Sequence, residues 1–404
     1  MSDHHGITGS TAREIAASVE AAVSAGGLEP GATLPSVRRL AADLGVSPTT
    51  VSGAVGELRR RGIVVSRPRS GVQVADRPPL AAGHSGAVPA GVRDLATGNP
   101  DYALLPNVVA AFARLDPAEH HVYGAEAVHP ALRAAAVAAL TPDGVDPTHL
   151  CVVNGALDGI ERTLGAYFAG GDAVAVEDPG FPAVLDLVRP FGMVPMPVAI
   201  DDRGMRPEAL AAALRAGARA VILTPRGQNP RGAAMDAARA RELRRVLDDA
   251  PGVLVVEDDH LGPIAGSPAV TLAAGRERWV TLRSVSKWLS PDLRLAVLAG
   301  DERTVGRVQG RQAVGPGWVS TLTQRVVAAL WADPEVEGLT DQAATVYAGR
   351  RRALVNALAV HGIEASAPSG LNVWIGVEEE GPVVAGLQAA GWAVSPGARF
   401  RLRS

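Results

Sequence analysis

Of the 39 basic side chains in this 404-residue sequence, one is a lysine, Lys287, and the remaining 38 (39 − 1) are arginine. Where arginine carries every other positive charge, the exception marks chemistry that a guanidinium cannot perform. Arginine keeps its proton, whereas a lysine amine in an apolar, cation-rich pocket sheds its proton and condenses with a carbonyl to form a Schiff base. A stray surface lysine in an arginine-biased chain is the plain alternative, and the neighbours argue against it. Ser284 and Ser286 place two hydroxyls just ahead of Lys287, and Arg294 follows at a distance suited to a bidentate grip on a phosphate. Apolar, strand-like residues lie on both sides, which puts the group in a core rather than on a loop tip.

Other residues capable of chemistry sit at the ends of short β-branched runs. After Arg93 the runs LCVVN, AVAVE, AVILT, GVLVVED, WVTLRS and LAVLAG alternate with longer amphipathic segments. That alternation predicts a parallel sheet with crossover helices, whose ligands lie at the carboxyl ends of the strands. Asn154-Gly155-Ala156-Leu157 separates LCVVN from a helix beginning near Leu157, where small residues let backbone amides cradle a phosphate. Asp178-Pro179-Gly180-Phe181 ends the next strand and presents a ring that can stack on a flat cofactor or fill a core. Asn229-Pro230 follows AVILTPRGQ, and Asp258, Asp259 and His260 follow GVLVV. A carboxylate emerging from so apolar a strand can pair with a protonated pyridine nitrogen, or it can cap a turn.

Composition bounds the elements that must position these groups. The length exceeds one ordinary compact core, so two or three domains are expected. With 47% hydrophobic and 20% charged residues the chain is globular, and its net charge of −3 gives no global sign of nucleic acid. The single cysteine, Cys151, excludes an internal disulfide framework, and MSDHHGITGS lacks the basic-then-apolar layout of a signal peptide. No apolar run reaches the roughly 18 residues of a membrane span, so the expected location is cytoplasmic, with no membrane partner. The histidines, including His4, His5, His120 and His121, show no metal-site spacing with acids or cysteine, and no metal is expected.

The N-terminal stretch has a different character. From Thr11 to about Ala25, Ile15, Ala16, Val19, Ala22 and Val23 recur at helical spacing. Ser36 can cap a second helix ending at Leu44 before Gly45, and Ser47 can cap a third running to about Arg61 before Gly62. IVVSRPRSGVQV then reads as two short strands around a turn from Pro68 to Gly71, shaped like a wing. Residues 36 to 71 carry seven arginines against two acids, Asp43 and Glu57, a local charge of +5 suited to phosphate contacts. Residues 77–92, rich in Pro, Gly and Ala, read as a linker between residues 11–76 and 93–404.

LEPGATLPSVRRLAADLGVSPTTV and the wing SRPRSG resemble the winged helix-turn-helix of the GntR family of bacterial transcription regulators. The resemblance implies that Arg38, Thr49 and Thr50 face operator DNA and that Gly71 lies against the minor groove. Pro48 stands where these proteins often carry an arginine, which removes one contact. From about residue 93 onward, NGALDGIERTL, VEDPGF, QNPRG, VVEDDH and SVSKWLSPDLRLAVLAG resemble the α/β fold-type I aminotransferases that use pyridoxal 5'-phosphate (PLP). By that resemblance Lys287 forms the Schiff base, Asp258 holds the pyridine nitrogen, Phe181 stacks on the ring and Asn229 bonds the ring hydroxyl. The backbone at Ala156 and Leu157, the hydroxyls of Ser284 and Ser286, and Arg294 are implied for the phosphate, with Tyr123 reaching the phosphate of the other subunit. His260 replaces the tyrosine that relatives usually place near the ring hydroxyl.

A GntR winged helix joined to an aminotransferase-like domain is the layout of the MocR subfamily, and the resemblance covers nearly the whole chain. It implies a head-to-tail homodimer that binds operator DNA and senses PLP or an amine or amino-acid effector, in control of vitamin B6 or amino-acid metabolism. The alternative is an active PLP-dependent aminotransferase that carries a DNA-binding module. IEASAP, LNVWIGV, GWAV and RFRL are read as strands of a smaller subdomain. The sequence stops where relatives carry a carboxylate-binding arginine, so the expectation is a poor transaminase or none.

Overall fold

The computed structural model describes residues 7–60, 62–67, 71–75, 88, 91–188 and 192–402. The chain divides into two compact units, the first built on the N-terminal segment and the second holding most of the chain after residue 88.

Local capping chemistry delimits the helices of the first unit. Ala12–Ser24 opens on a capping box in which Thr11 Oγ1 accepts from the Glu14 amide and the Glu14 carboxylate accepts from the Thr11 amide. Val37–Leu44 begins at Ser36, whose hydroxyl accepts from the Arg39 amide, and closes on Gly45 in the left-handed conformation, φ 66°. Pro48–Arg60 follows Ser47, whose Oγ accepts the Thr50 amide at 3.1 Å. Strands Val64–Arg67 and Gly71–Val74 pair antiparallel with Val64 opposite Val74. Ile15, Val19, Leu40, Val51, Leu58 and Ile63 converge in one buried core that binds the three helices to the hairpin. The turn residues 68–70, Arg61 and nearly all of the expected linker lie outside the described residues.

The second unit is organised on an eight-stranded sheet. Its strands run, in spatial order, Leu150–Val153, Ala296–Gly300, Trp279–Ser284, Leu254–Asp259, Ala218–Leu223, Ala173–Asp178, Val194–Asp201 and Gly204–Met205. Four neighbours, from Trp279–Ser284 to Ala173–Asp178, pair parallel. Their near-continuous apolar sequences suit strands covered on both faces, and Val255, Val256, Val280 and Leu282 are fully buried. The sheet is mixed rather than wholly parallel, because Ala296–Gly300 runs antiparallel to both of its neighbours. The segment 285–295 that precedes it holds a short turn and no crossover helix, too little chain to return to the starting edge. Two reversals leave Leu150–Val153 pointing the same way as Trp279–Ser284. The carboxyl ends of five strands therefore share one edge.

Beyond the sheet, helices Thr321–Trp331 and Pro334–Val360 break at Pro334, with Asp333 capping the second. Short pairings at Ala365–Ser366, Trp374–Ile375 and Trp392–Ala393 form the smaller subdomain. RFRL is not a strand. Gly397–Phe400 is a 3-10 turn, because the segment spends its backbone groups on a loop: the Phe400 carbonyl accepts from the Gly180 amide at 2.8 Å, and the Leu402 amide donates to Asp178 Oδ1 at 3.0 Å.

Candidate functional site

Lys287 lies three residues past the end of Trp279–Ser284, on the shared edge, half-buried, with its Nζ donating to the Gly98 carbonyl at 2.6 Å. Burial, and then the charge of Arg294, push its pKa below the usual lysine value, the condition for a nucleophilic amine. His260 comes next to it from the neighbouring strand. Burial and then the Lys287 charge lower the imidazole to about 4, so it stands neutral beside the amine.

Asp258 and Asp259 are consecutive on the Leu254–Asp259 strand, so their side chains leave opposite faces of the sheet. Asp259 meets Arg226 at 2.9 Å and Arg283 at 2.7 Å, and Arg283 also meets Asp143 at 2.5 Å. Burial alone would raise its pKa, but the two guanidiniums bring it down to about 2, and it is a carboxylate. Asp258 has no such partners among the described residues. Burial, and then repulsion from Asp259, raise it to about 7, and its Oδ1 is buried with no hydrogen-bond partner among those residues. A buried polar atom of that kind is uncommon and needs an explanation, of which a donor supplied by a bound molecule is one.

A second feature brings a guanidinium to a helix start. Gly155 adopts φ 92° between the Leu150–Val153 strand and the helix Ala156–Tyr167, and a Cβ at that position would lie 2.9 Å from Arg294 Nη2. The absence of a side chain lets the guanidinium close on the turn at the helix start, where backbone N–H groups are unpaired. Arg294 itself is left-handed, φ 43°, the one non-glycine residue with positive φ among the described residues, and such strain concentrates at functional sites. Ser284 Oγ lies 3.3 Å from Ser286 Oγ and accepts the Ser286 amide. Ala156 and Leu157 open the helix, one residue earlier than the sequence suggested.

Phe181 is 37% exposed and follows Gly180, whose Cβ would collide with the Glu177 carbonyl at 2.3 Å, so the loop turns tightly back on its own strand. Asn229 is half-buried in the loop after Ala218–Leu223. Lys287, His260, Asp258, Ser284, Ser286, Arg294, Gly155, Ala156 and Leu157 thus lie at the ends of four strands of one edge, and Phe181 and Asn229 follow two more. Tyr123 is not drawn in. It is 92% exposed and packs edge-on against Trp318, ring centroids 5.4 Å apart.

Sequence reasoning missed Glu177 and Gln228, both buried, and the Arg226–Asp259–Arg283 cluster. Burial pushes Glu177 up to about 8, against hydrogen bonds from Thr224 and Gln228. The available signal was a charged residue inside an apolar strand, AVAVE, which needs a partner wherever it is buried.

In the first unit Arg38 and Thr49 are exposed, and Gly71 is exposed with φ 78°. Thr50 is half-buried, its Oγ1 2.8 Å from Ser47 Oγ, so the hydroxyl serves the cap.

Residues 90–404 match the family of aminotransferases class I and II, and residues 11–74 match the bacterial regulatory proteins of the gntR family. Fold and site together define a GntR-type DNA-binding region joined to an aminotransferase-like domain. The chain is 39% identical over 396 residues to the vitamin B6 salvage pathway transcriptional repressor PtsJ of Salmonella typhimurium, covering 98% of this chain and 92% of that protein. It is 26% identical over 345 residues to the HTH-type pyridoxine biosynthesis transcriptional regulator PdxR of Corynebacterium glutamicum, 81% of this chain and 74% of that one. Among solved structures, an archaeal alanine:glyoxylate aminotransferase aligns with a TM-score of 0.71 at 21% identity, over 77% of this chain and 82% of the other, a likeness of fold. The chain belongs to the MocR-type regulators. The aminotransferase family uses pyridoxal phosphate. Among the described residues, no helix is long and apolar enough to cross a membrane.

Proposed function

We propose that this chain is a cytoplasmic transcription regulator that binds operator DNA through its N-terminal unit and PLP through Lys287, and that the cofactor, or an amine or amino acid reacting with it, sets operator affinity. The buried oxygen of Asp258, unpartnered among the described residues, carries this reading, because it can accept a donor from a bound ring and shares a sheet edge with the one lysine and the Gly155–Arg294 cradle. Bound PLP supplies an electrophilic carbonyl carbon and a cationic ring that withdraws electrons. The residues present fit it. Lys287 offers an amine with a lowered pKa, Asp258 would hold the ring-nitrogen proton, and Arg294, Ser284, Ser286 and the amides opening Ala156–Tyr167 would hold the phosphate. Neutral His260 leaves Lys287 without a second cation beside it. Phe181 and Asn229 would contact the ring and its hydroxyl.

Exposed Arg38 and Thr49, with Gly71, are proposed to meet the operator. A head-to-tail homodimer is part of the same reading. The exposed side chains Val109, Phe112, Tyr123 and Val314 support it, since a partner subunit would cover apolar surface that water penalises. The names of the relatives favour genes of vitamin B6 metabolism as targets.

The test is uptake of PLP followed by operator binding with and without it. One cofactor per chain, fixed by borohydride to a peptide containing Lys287 and lost in Lys287→Ala, together with PLP-dependent operator affinity, is the expected result. Fixation to the N-terminal amine would overturn the assignment to Lys287. Rapid, complete conversion of bound PLP to its amine form by an amino acid, with operator affinity unmoved, would establish the aminotransferase alternative.

A further inference from the structure

We propose that Glu177 and Gln228 are positioning residues for the cofactor site, forming a buried staple that holds the Phe181 loop and the Asn229 loop at a fixed separation. The inference rests on the PLP reading above and names what would set the gap for the ring. Gln228 is fully buried, and each polar group of its side chain is used. Its Nε2 donates to Glu177 Oε2 at 3.2 Å and to the Pro179 carbonyl at 3.0 Å, while its Oε1 accepts the Arg231 amide at 3.2 Å. Reversing the amide would turn its carbonyl toward two acceptors, so the orientation follows from the partners. Glu177, also buried, spends its other oxygen on the Thr224 amide at 3.2 Å, at the end of Ala218–Leu223.

Phe181 and Asn229 come from different loops, after strands Ala173–Asp178 and Ala218–Leu223. Pairing of those strands aligns Val176 with Ile222 but leaves the loops beyond them unpaired by the ladder. The staple continues the connection into the loops. It joins the residue before Asn229 to Pro179, two positions ahead of Phe181, and the tight turn at Gly180 transmits that anchor to the ring. On the far side the Gln228 backbone is fixed as well, its amide donating to the Ala233 carbonyl at 3.0 Å and its carbonyl accepting the Gly232 amide at 2.5 Å. Neither residue faces solvent, and neither is needed to cap a helix.

Full-length protein carrying Gln228→Ala, Glu177→Gln or both would be titrated with PLP and followed by its visible absorption and visible circular dichroism. Gln228→Ala should bind PLP roughly tenfold more weakly, the scale of one buried hydrogen bond, and lose most of the visible dichroism per bound cofactor. Borohydride should still fix that cofactor to Lys287. Glu177→Gln keeps the volume but replaces one of the two accepting oxygens with a donor, which then faces either Gln228 Nε2 or the Thr224 amide, so it should move both readouts the same way, and it decides the matter if Gln228→Ala does not fold. The double variant should be no worse than Gln228→Ala, because the two act as one unit. Wild-type affinity and dichroism in both single variants, or losses that simply add, would overturn the staple. A wild-type chain that takes up no PLP would instead overturn the cofactor reading itself.

Discussion

Two neighbouring carboxyls with the same chemistry are shifted in opposite directions, and this difference can be measured. Asp259 is tied to Arg226 and Arg283, so Asp259→Asn leaves two buried guanidiniums short of a counter-charge and should cost about 3 to 5 kcal/mol. With its pKa down at about 2, the stability Asp259 contributes is present above the ordinary carboxylate range and disappears only as pH falls through about 2. The deficit of the variant should therefore be equal at pH 5 and pH 8. Asp258 has the reverse sign. An acid raised to about 7 favours the native state while protonated, and that contribution is lost as pH climbs from the ordinary range through about 7, where folding must bury a charge. In the cofactor-free protein, Asp258→Asn should raise stability at pH 8 by a few kcal/mol, on the order set by the shift, and by much less at pH 5. Denaturant unfolding of both variants at the two pH values checks this, and an Asp258→Asn chain no more stable than wild type at pH 8 would contradict the buried, unpaired assignment. At Gly155 the guanidinium of Arg294 is the far end of a flexible chain and can swing aside, so Gly155→Ala is resisted mainly by φ 92°. Its expected cost is about 1 to 3 kcal/mol, with weaker binding of PLP seen by titration of the visible band.

At the scale of elements, legibility followed the range of the determining interaction. Thr11, Ser36, Gly45 and Ser47 mark helix limits through bonds that reach three or four residues, so both partners stand close together in the sequence. Strand positions were legible because β-branched runs such as GVLVV have few other uses. Strand direction was not legible at Ala296–Gly300, since it depends on how segment 285–295 packs, and RFRL alternates like a strand although its backbone is engaged by the loop at Asp178 and Gly180. Lys287 stands out by composition, as the single lysine; the Glu177–Gln228 contact, 51 residues apart, has no such mark in the sequence. In the recognition region the cap at Ser47 engages the Thr50 hydroxyl, which leaves Arg38 and Thr49 as the freer candidates for DNA. Arg38→Ala should reduce the slope of log affinity against log salt by about 1 if it meets a phosphate, or cost about 1 to 3 kcal/mol of sequence discrimination if it meets a base. Operator titrations over a salt series, set beside an unrelated duplex, separate the two, and unchanged affinity at every salt would remove Arg38 from the interface.

For the whole molecule, charge is placed rather than abundant: a net −3 chain carries +5 between residues 36 and 71, within the unit that has the helix-turn-helix caps. The cofactor candidates all lie in the other unit. If PLP and operator bind one protein through different units, their effects on each other are a single free energy and must be reciprocal. Whatever factor saturating PLP applies to operator affinity, saturating operator applies to PLP affinity, and a coupling of about 1 to 3 kcal/mol corresponds to roughly 5- to 150-fold. Lys287→Ala gives the control, since it keeps the DNA unit intact while removing the amine that would hold the cofactor. Operator titrations with and without PLP, paired with PLP titrations with and without operator, should yield the same factor in wild type and a factor near one in Lys287→Ala. Operator affinity that ignores saturating PLP would leave the second unit without a sensing role. Coupling that survives in Lys287→Ala would place the response in the phosphate cradle at Gly155 and Arg294 rather than in the amine, because those groups can still bind the anionic end of the same molecule.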